Sequence, residues 1–417
     1  MRLAIVGGGI SGLTAAHLLQ PDHDIVLFEA NDYPGGHTDT HSVETESGSY
    51  AIDTGFIVFN DRNYPNFIKL MDRLGVADQP TTMSFSVKDE LSDFEYSGGS
   101  ANGLFAKRSH LLKPSFHRMY LDLLRFNRDG REQLRNGSMN GVSLRDYLDD
   151  GGYSRDFIEK LIVPQAAAVW SADPDQMWSF PAKFLLEFFD NHGILDVRGR
   201  PQWKSIAGGS KRYVEAITAP WADAIRLSTP VERIERTDDR VTLTPRGGEP
   251  EEFDQVVIAT HADQALAMLA DPSAQERELL GAFPYQRNDV VLHTDASVLP
   301  RRRRAWASWN YHLTGEEVSR PTVTYHMNRL QALDADEDFC VTLNRPEAMD
   351  AERVLKRITY SHPVFTSEGL AAQGRRGEIS GQYRTWYCGA YWGSGFHEDG
   401  VVSALHVTEA LGAPALA

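Results

Sequence analysis

Hydrophobic positions at the start of the chain fall into short uninterrupted runs. Leu3-Ala4-Ile5-Val6 is one such run and predicts a buried strand. Gly7-Gly8-Gly9-Ile10-Ser11-Gly12 follows at once, and Leu13 to Leu19 continues as a helical run. A second apolar run, Ile25-Val26-Leu27-Phe28, ends at Glu29, 22 residues beyond Gly7. The order strand, glycine turn, helix, strand predicts an α/β fold opening on a βαβ unit.

The same reading places elements farther along. Gly208-Gly209-Ser210-Lys211 opens a helix-like stretch, and residues 225–234 read as a strand pair around Pro230. Residues 253–260 read as a buried strand ending in small residues, and 323–331 as a further strand-like stretch. From Trp386 to Leu405 the pattern is strand, glycine loop and then a helix starting near Gly400. Residues 161–170 and 177–189 are rich in aromatic and aliphatic side chains, which suit either a packed core or the wall of an apolar tunnel. Phe116, Met119, Tyr120, Leu123, Leu124 and Asn127 recur at helical spacing after Pro114 and predict an amphipathic helix.

Charge changes the picture of that helix. The chain as a whole carries a net charge of -16, yet between Lys107 and Arg135 eight cations face three anions. One reading is a solvated basic back on a core-facing helix, and the other is a surface that leans on anionic lipid. Arg301-Arg302-Arg303-Arg304 is a second basic run. The overall acidity argues against nucleic acid as a partner.

With 417 residues, 41% of them hydrophobic and 24% charged, the chain has room for two lobes and the composition of a globular protein. Only Cys340 and Cys388 are present, which excludes a disulfide scaffold, and no apolar run approaches the roughly 20 residues of a spanning helix. The chain opens directly on its first strand, so a cytoplasmic location is expected, with peripheral contact at the inner membrane face as an extension of the basic stretch. No His/Cys/Asp/Glu cluster has zinc spacing, and no G-x-S-x-G nucleophile elbow occurs.

The glycines define the chemistry that the N-terminus invites. Gly7 permits the tight turn, Gly9 lets backbone approach a pyrophosphate, and Gly12 lets the helix pack closely on the strand. Free amides at the helix start, from Ile10 and Ser11 onward, then bind the anion. Glu29, at the end of the second strand, is placed to accept hydrogen bonds from both ribose hydroxyls of a dinucleotide. A second glycine pair, in Glu29-Ala30-Asn31-Asp32-Tyr33-Pro34-Gly35-Gly36-His37-Thr38, follows where a nicotinamide enzyme would enter a crossover helix, and Asp53-Thr54-Gly55-Phe56 comes next.

With its E-x5-GG element, the sequence resembles the flavin-containing amine oxidase superfamily, which includes protoporphyrinogen oxidases and carotenoid desaturases. The resemblance implies FAD, held by segments far apart in the chain. Besides Gly7, Gly9, Ile10, Ser11, Gly12 and Glu29, it implies contacts from Ala30, Gly35, Gly36, His37, Thr38, Thr54, Gly55, Val231, Ala259, Gly389, Glu398, Asp399, Gly400 and Val401. The backbone of Val231 would hold the adenine, and the helix near Gly400 would aim its positive end at the flavin edge where charge gathers on reduction. His37 stands where members commonly carry Arg, and Ala390 where an acidic residue is usual. Cys388, at the end of a buried strand, reads as a core thiol and not a covalent flavin link.

The resemblance further implies an FAD lobe from residues 1–55, 200–280 and 370–417, and a substrate lobe from 56–199 and 281–369. In the substrate lobe, Tyr325, His326 and Trp309 are the catalytic candidates, Tyr325 and His326 to orient a substrate or move a proton. Strand alternation sends Tyr325 and His326 to opposite faces, so one of them is expected at the site. Trp309, Tyr325 and Trp392 are the nominees for an aromatic cage. The sequence looks most like the bacterial NAD/FAD-binding oxidoreductase branch, whose members often accompany cyclopropane-fatty-acid synthase-type genes. Its expected activity is hydride abstraction from a C–H bond of an apolar substrate, foremost a lipid acyl chain. Oxidation of a small amine is the alternative, and a lipid carrier on the same fold is the competing class. The electron acceptor is left open.

Overall fold

In the computed structural model, residues 1–416 are described, apart from 138, 140, 197, 198 and 316–319. The two apolar runs at the N-terminus pair in parallel at the centre of a five-stranded sheet. Its strand order is Ile225–Arg226, Asp24–Phe28, Arg2–Val6, Gln255–Ile258 and Thr385–Tyr387. Continuous apolar strands are required because both faces are covered. Leu3 and Ile5 meet the first helix (Ile10–Leu19) and the last helix (His397–Ala410), while Ala4 and Val6 meet a second core with Ile234, Leu243 and Phe253.

The second large sheet has seven strands, in the order Val354–Pro363, Tyr285–His293, Cys340–Leu343, Thr322–His326, Trp309–Leu313, Phe85–Asp89 and Glu95–Ser97. Period-two alternation gives it two unlike faces. Leu292, Tyr311, Val323, Tyr325 and Leu343 join the largest core, together with the helices Val163–Trp170 and Ala182–Asn191. The reverse face carries Ser86, His293, Asn310, His312, Thr324 and Thr342, all buried.

Several sequence expectations shift here. The strand-like stretch 323–331 is a strand only to His326, after which Met327–Leu330 turns into a short helix. The last helix starts at His397, three residues before Gly400. Phe56, Phe59, Tyr64, Phe67 and Met71, expected in the substrate lobe, pack instead with the first and last helices. In the amphipathic helix, Pro114–Asn136, the buried stripe is Phe116, Met119 and Phe126, while Tyr120 and Leu124 are exposed.

Candidate functional site

The glycine turn is built as its residues demand. Gly7 has φ +103°, and a Cβ there would lie 2.9 Å from the Ala259 carbonyl oxygen. At Gly12 a Cβ would come within 1.9 Å of the Gly7 carbonyl, so the first helix can seat on the strand only with glycine at that place. Above Gly9 a Cβ would meet nothing within 4 Å, and this glycine caps the first helix without any side-chain cap. The result is an open cradle edged by unpaired first-turn amides.

Glu29 is buried at the rim of this cradle. Its Oε2 accepts the Gly8 amide at 2.7 Å and its Oε1 accepts the Asn31 amide at 2.8 Å, which leaves each oxygen a lone pair for a hydroxyl. The neighbouring Ala30 is exposed. The second glycine pair folds back onto the first, since the Gly35 amide donates to the Gly8 carbonyl at 2.8 Å and Gly36, at φ +60°, closes on Gly9. Ala259 donates to the Val6 carbonyl at 2.8 Å, and Val231 begins the strand beyond Pro230.

The last helix is tied to the same place. Its first residue, His397, brings Nε2 to 3.0 Å from Thr38 Oγ1 and 3.1 Å from the Tyr213 hydroxyl, and the imidazole stacks on Phe56 at 3.6 Å. Burial holds the His397 imidazole far below its ordinary pKa and therefore neutral. A Cβ on Gly400 would reach 2.7 Å from Ile10 and 2.9 Å from the Ser11 hydroxyl, so Gly400 is where the first and last helices touch. Val401 is fully buried beside it, and the Gly389 amide donates to Ser403 at 3.0 Å. Glu398 is engaged elsewhere: its carboxylate accepts the Asn66 amide at 3.1 Å and the Phe67 amide at 2.8 Å, capping the helix Pro65–Leu74. Asp399 turns back to the Phe396 amide at 2.9 Å, and burial raises its pKa to about 6.

Beyond the second glycine pair lies a group of rings. His37 stands 4.9 Å from Tyr360, 5.3 Å from His362 and 5.9 Å from His261, and His261 stacks on Tyr285 at 4.4 Å. The Tyr360 hydroxyl joins Thr54 at 2.9 Å, and at Gly55 a Cβ would collide with the His37 carbonyl at 2.0 Å. Desolvation pushes His37 and His261 down to about 4 and His362 to about 3, so all three are neutral at pH 7. His37 Nε2 is buried without a hydrogen-bond partner. An open glycine cradle, uncapped amides and an orphaned imidazole nitrogen at its far end fit a dinucleotide cofactor.

A buried carboxylate links the cradle to the second sheet. Asp53 accepts the Ser210 amide at 2.9 Å and Gln331 Nε2 at 2.9 Å, joining the Gly208-Gly209 turn to the segment after His326. Burial raises the Asp53 pKa to about 7.

The catalytic candidates separate. Trp309 and Tyr325 stand together on the helix-facing side, edge to face at 5.1 Å. His326 lies on the reverse face, 3.0 Å from Asp338 and 5.5 Å from Trp306, as alternation requires. Trp392 packs on Phe283 and Tyr391 in the core beneath the five-stranded sheet. Cys388 is buried with its thiol pushed up to about 12, the behaviour of a core residue.

At the start of the last helix a crevice of about 230 Å³ opens, lined by the rings of Tyr64, Phe184, Phe188 and Phe396 and by the polar Glu187, Asn191, His192, Glu398 and Asp399 among others. Phe188 and Phe396 stack at 5.2 Å, and Trp170, Phe180 and Phe365 extend this aromatic wall. Sequence reading did not single out Tyr360, His362, His261, Tyr285, His397 or Phe396. One signal was available, since Tyr360 and His362 are two apart and so share one face of their strand.

A parallel sheet with a glycine cradle, joined to a second sheet whose flanking rings turn toward it, defines a two-lobed flavoprotein. The sequence model of the family described as flavin containing amine oxidoreductase matches residues 10–306, and the chain belongs to that family, whose cofactor is FAD. An L-amino-acid oxidase of Siganus canaliculatus is 24% identical over 332 residues, covering 71% of this chain and 57% of the relative. The chain thus spans under three-fifths of the length of that relative. Among solved structures, a putrescine oxidase variant superposes with a TM-score of 0.71 at 16% identity, covering 99% of both chains. A fatty acid isomerase of P. acnes that produces CLA superposes with a TM-score of 0.67 at 17% identity, covering 98% of this chain and 97% of the other. These likenesses establish the mixed α/β fold. Among the described residues, no helix is long and apolar enough to cross a membrane.

Proposed function

We propose that this chain is an FAD-dependent oxidoreductase that takes hydride from a C–H bond of an apolar substrate, foremost a lipid acyl chain. The observation that carries this reading is the aromatic crevice, in which Phe184, Phe188 and Phe396 line the approach to the start of the last helix. The stacked rings offer an apolar chain a dispersion contact along its length, while Glu187, Asn191, Glu398 and Asp399 give the same crevice a polar side.

In this reading the amides of Ile10, Ser11 and Gly12 hold the pyrophosphate, Glu29 the ribose and the Val231 backbone the adenine. Gly35, Gly36, His37, Thr38, Thr54 and Gly55 bound the ribityl and ring end. Bound FAD would supply a two-electron acceptor for hydride from a substrate C–H. The chain's own task is to hold the substrate flat, exclude water and present the positive end of the last helix, roughly half an elementary charge. His397, kept neutral by burial and held by Thr38 and Tyr213, fixes that helix start without adding a competing charge. The lobe division 1–55, 200–280 and 370–417 against 56–199 and 281–369 remains part of this proposal, with Phe56 to Met71 packing on the FAD side.

A second reading, oxidation of a small amine, is favoured by Glu187 and Asp399, which line the same crevice, and by the fold shared with a putrescine oxidase. Anaerobic mixing of the flavin-loaded protein with fatty-acyl lipids and with a panel of amines separates the two. Bleaching of the flavin band by acyl lipid alone is expected. Bleaching by amines alone selects the second reading, and bleaching by neither removes both substrate classes.

A further inference from the structure

Five of the ten exposed bulky apolar side chains among the described residues fall in one stretch, between Leu111 and Leu124. Among the described residues the largest exposures of bulky hydrophobics include Leu112 at 88%, Leu121 at 60% and Leu111 at 49%, with Tyr120 and Leu124 beside them. Leu111 and Leu112 end the 3₁₀ turn Arg108–Leu112. Leu121 and Leu124 sit on the following helix, Pro114–Asn136, away from its buried stripe of Phe116, Met119 and Phe126, and Tyr120 stands at the edge of that stripe. A helix of 23 residues that keeps leucines on both sides does not have its outer set explained by the core.

Cations surround this apolar strip. Arg128 shares its side of the helix, 71% exposed and paired with Asp129 at 2.8 Å, and Lys113 lies between Leu112 and the helix start. Arg118 and Arg125 flank it, both bonded to the buried Asp122. The four-arginine run 301–304 meets the chain just before the 3₁₀ turn that carries Leu111 and Leu112. Arg304 Nε donates to the Ala106 carbonyl at 2.7 Å, and Arg302 and Lys107 both pair with Asp93, each at 2.9 Å. Arg303 extends from this junction with 81% of its side chain exposed, its guanidinium 4.0 Å from Asp338. Two basic stretches almost 200 residues apart in sequence are thus adjacent to one set of bare leucines, on a protein whose net charge is -16.

We infer that this face is a docking surface for an anionic phospholipid bilayer. Leucines and a tyrosine enter the headgroup boundary while Lys113, Arg128, Arg303 and their neighbours stay at phosphate level. Charge selects the occupant. With a net charge of -16 the molecule as a whole is repelled by an anionic membrane, so contact is favoured through this basic, apolar face. The contact is peripheral, and it rests on side-chain placement independently of the substrate reading.

Co-sedimentation of the full-length, flavin-loaded protein with vesicles tests it. Vesicles of phosphatidylcholine with phosphatidylglycerol are expected to bind the protein, pure phosphatidylcholine much less, and raised salt is expected to release it. The pair Leu112→Glu and Leu121→Glu, and separately the pair Arg303→Ala and Arg304→Ala, are each expected to weaken binding by about tenfold or more. All four substituted side chains are exposed, so an unchanged melting temperature and flavin band show that folding is intact. Equal binding to both vesicle types, or binding untouched by both pairs of substitutions, overturns the inference. So does self-association in sedimentation velocity that is lost in Leu112→Glu, Leu121→Glu while vesicles are ignored, since the face would then join two copies of the chain.

Discussion

Two groups of histidines in this molecule, one on the reverse face of the seven-stranded sheet and one beside the cradle, are treated differently. On the reverse face of the seven-stranded sheet, His312 has Glu90 at 2.8 Å on Nδ1 and Thr324 at 2.9 Å on Nε2. His293 has Thr342 at 2.8 Å on Nε2, and its Nδ1 accepts the Asp295 amide at 3.1 Å. Thr324 and Thr342 join the two at 2.8 Å, so the network closes with both imidazoles almost fully buried. At the cradle, His37, His261 and His362 stay partly accessible and meet through ring contacts; His362 Nδ1 pairs with Asn288 Nδ2 at 2.9 Å, and His37 Nε2 is left unpartnered. The closed His293–Thr342–Thr324–His312 network stabilises and specifies the fold, whereas the unspent Nε2 of His37, on a partly accessible ring beside an open cradle, is free for a ligand.

Substitutions sharpen that contrast. The largest effect is expected from His312→Leu, which strips Glu90 and Thr324 of a partner inside the sheet. It should cost about 3 kcal/mol in chemical denaturation and leave flavin affinity per folded molecule unchanged. His37→Ala should do the reverse, weakening FAD binding by about tenfold in a fluorescence titration while moving stability by less than ~0.5 kcal/mol. If both substitutions act on stability alone, the distinction between the two histidine sets disappears.

The pH dependence follows from the same groups. His37, His261 and His293 are held down to about 4, below their unfolded value of 6.5, so the unfolded chain binds more protons between those limits. Their contribution to stability is present above about pH 6.5 and is lost as the pH falls toward 4. Asp53 acts with the opposite sign. Its pKa is raised to about 7 from 3.8, so its contribution is full below about pH 4 and is lost as the pH rises through 7. Melting temperature should therefore fall on acidification, and fall more steeply in Asp53→Asn, where the opposing group is gone. The smallest effect is expected for Glu398→Ala, about 1 kcal/mol from the lost cap on Asn66 and Phe67, with flavin content preserved.

What sequence made legible was whatever depends on neighbours in the chain. The turn at Gly7 to Gly12, the strand ending at Glu29 and the glycine pair at Gly35-Gly36 are local features with local reasons, and the structure builds them on the expected elements. Alternation likewise foretold that Tyr325 and His326 would part company. Less was legible where a side chain is spent on a distant segment. Glu398 caps a helix more than 300 residues earlier, which no spacing near the C-terminus reveals. The early helix start at His397 was hidden because its anchors, Thr38 and Tyr213, come from two other parts of the chain. The ring cluster draws His37, His261, Tyr285, Tyr360 and His362 from four segments, and only the sheet topology brings them together.

The claim on which the rest depends is that the cradle beside Glu29 holds FAD. Flavin occupancy of the purified protein and of Glu29→Ala, read from the visible absorbance band against protein concentration, tests it most directly. The structure leads us to expect near-stoichiometric flavin in the unaltered chain and little in the variant, with the variant still folded by circular dichroism. Equal occupancy in the two would contradict the assignment of the ribose to Glu29 and, with it, the placement of the cofactor.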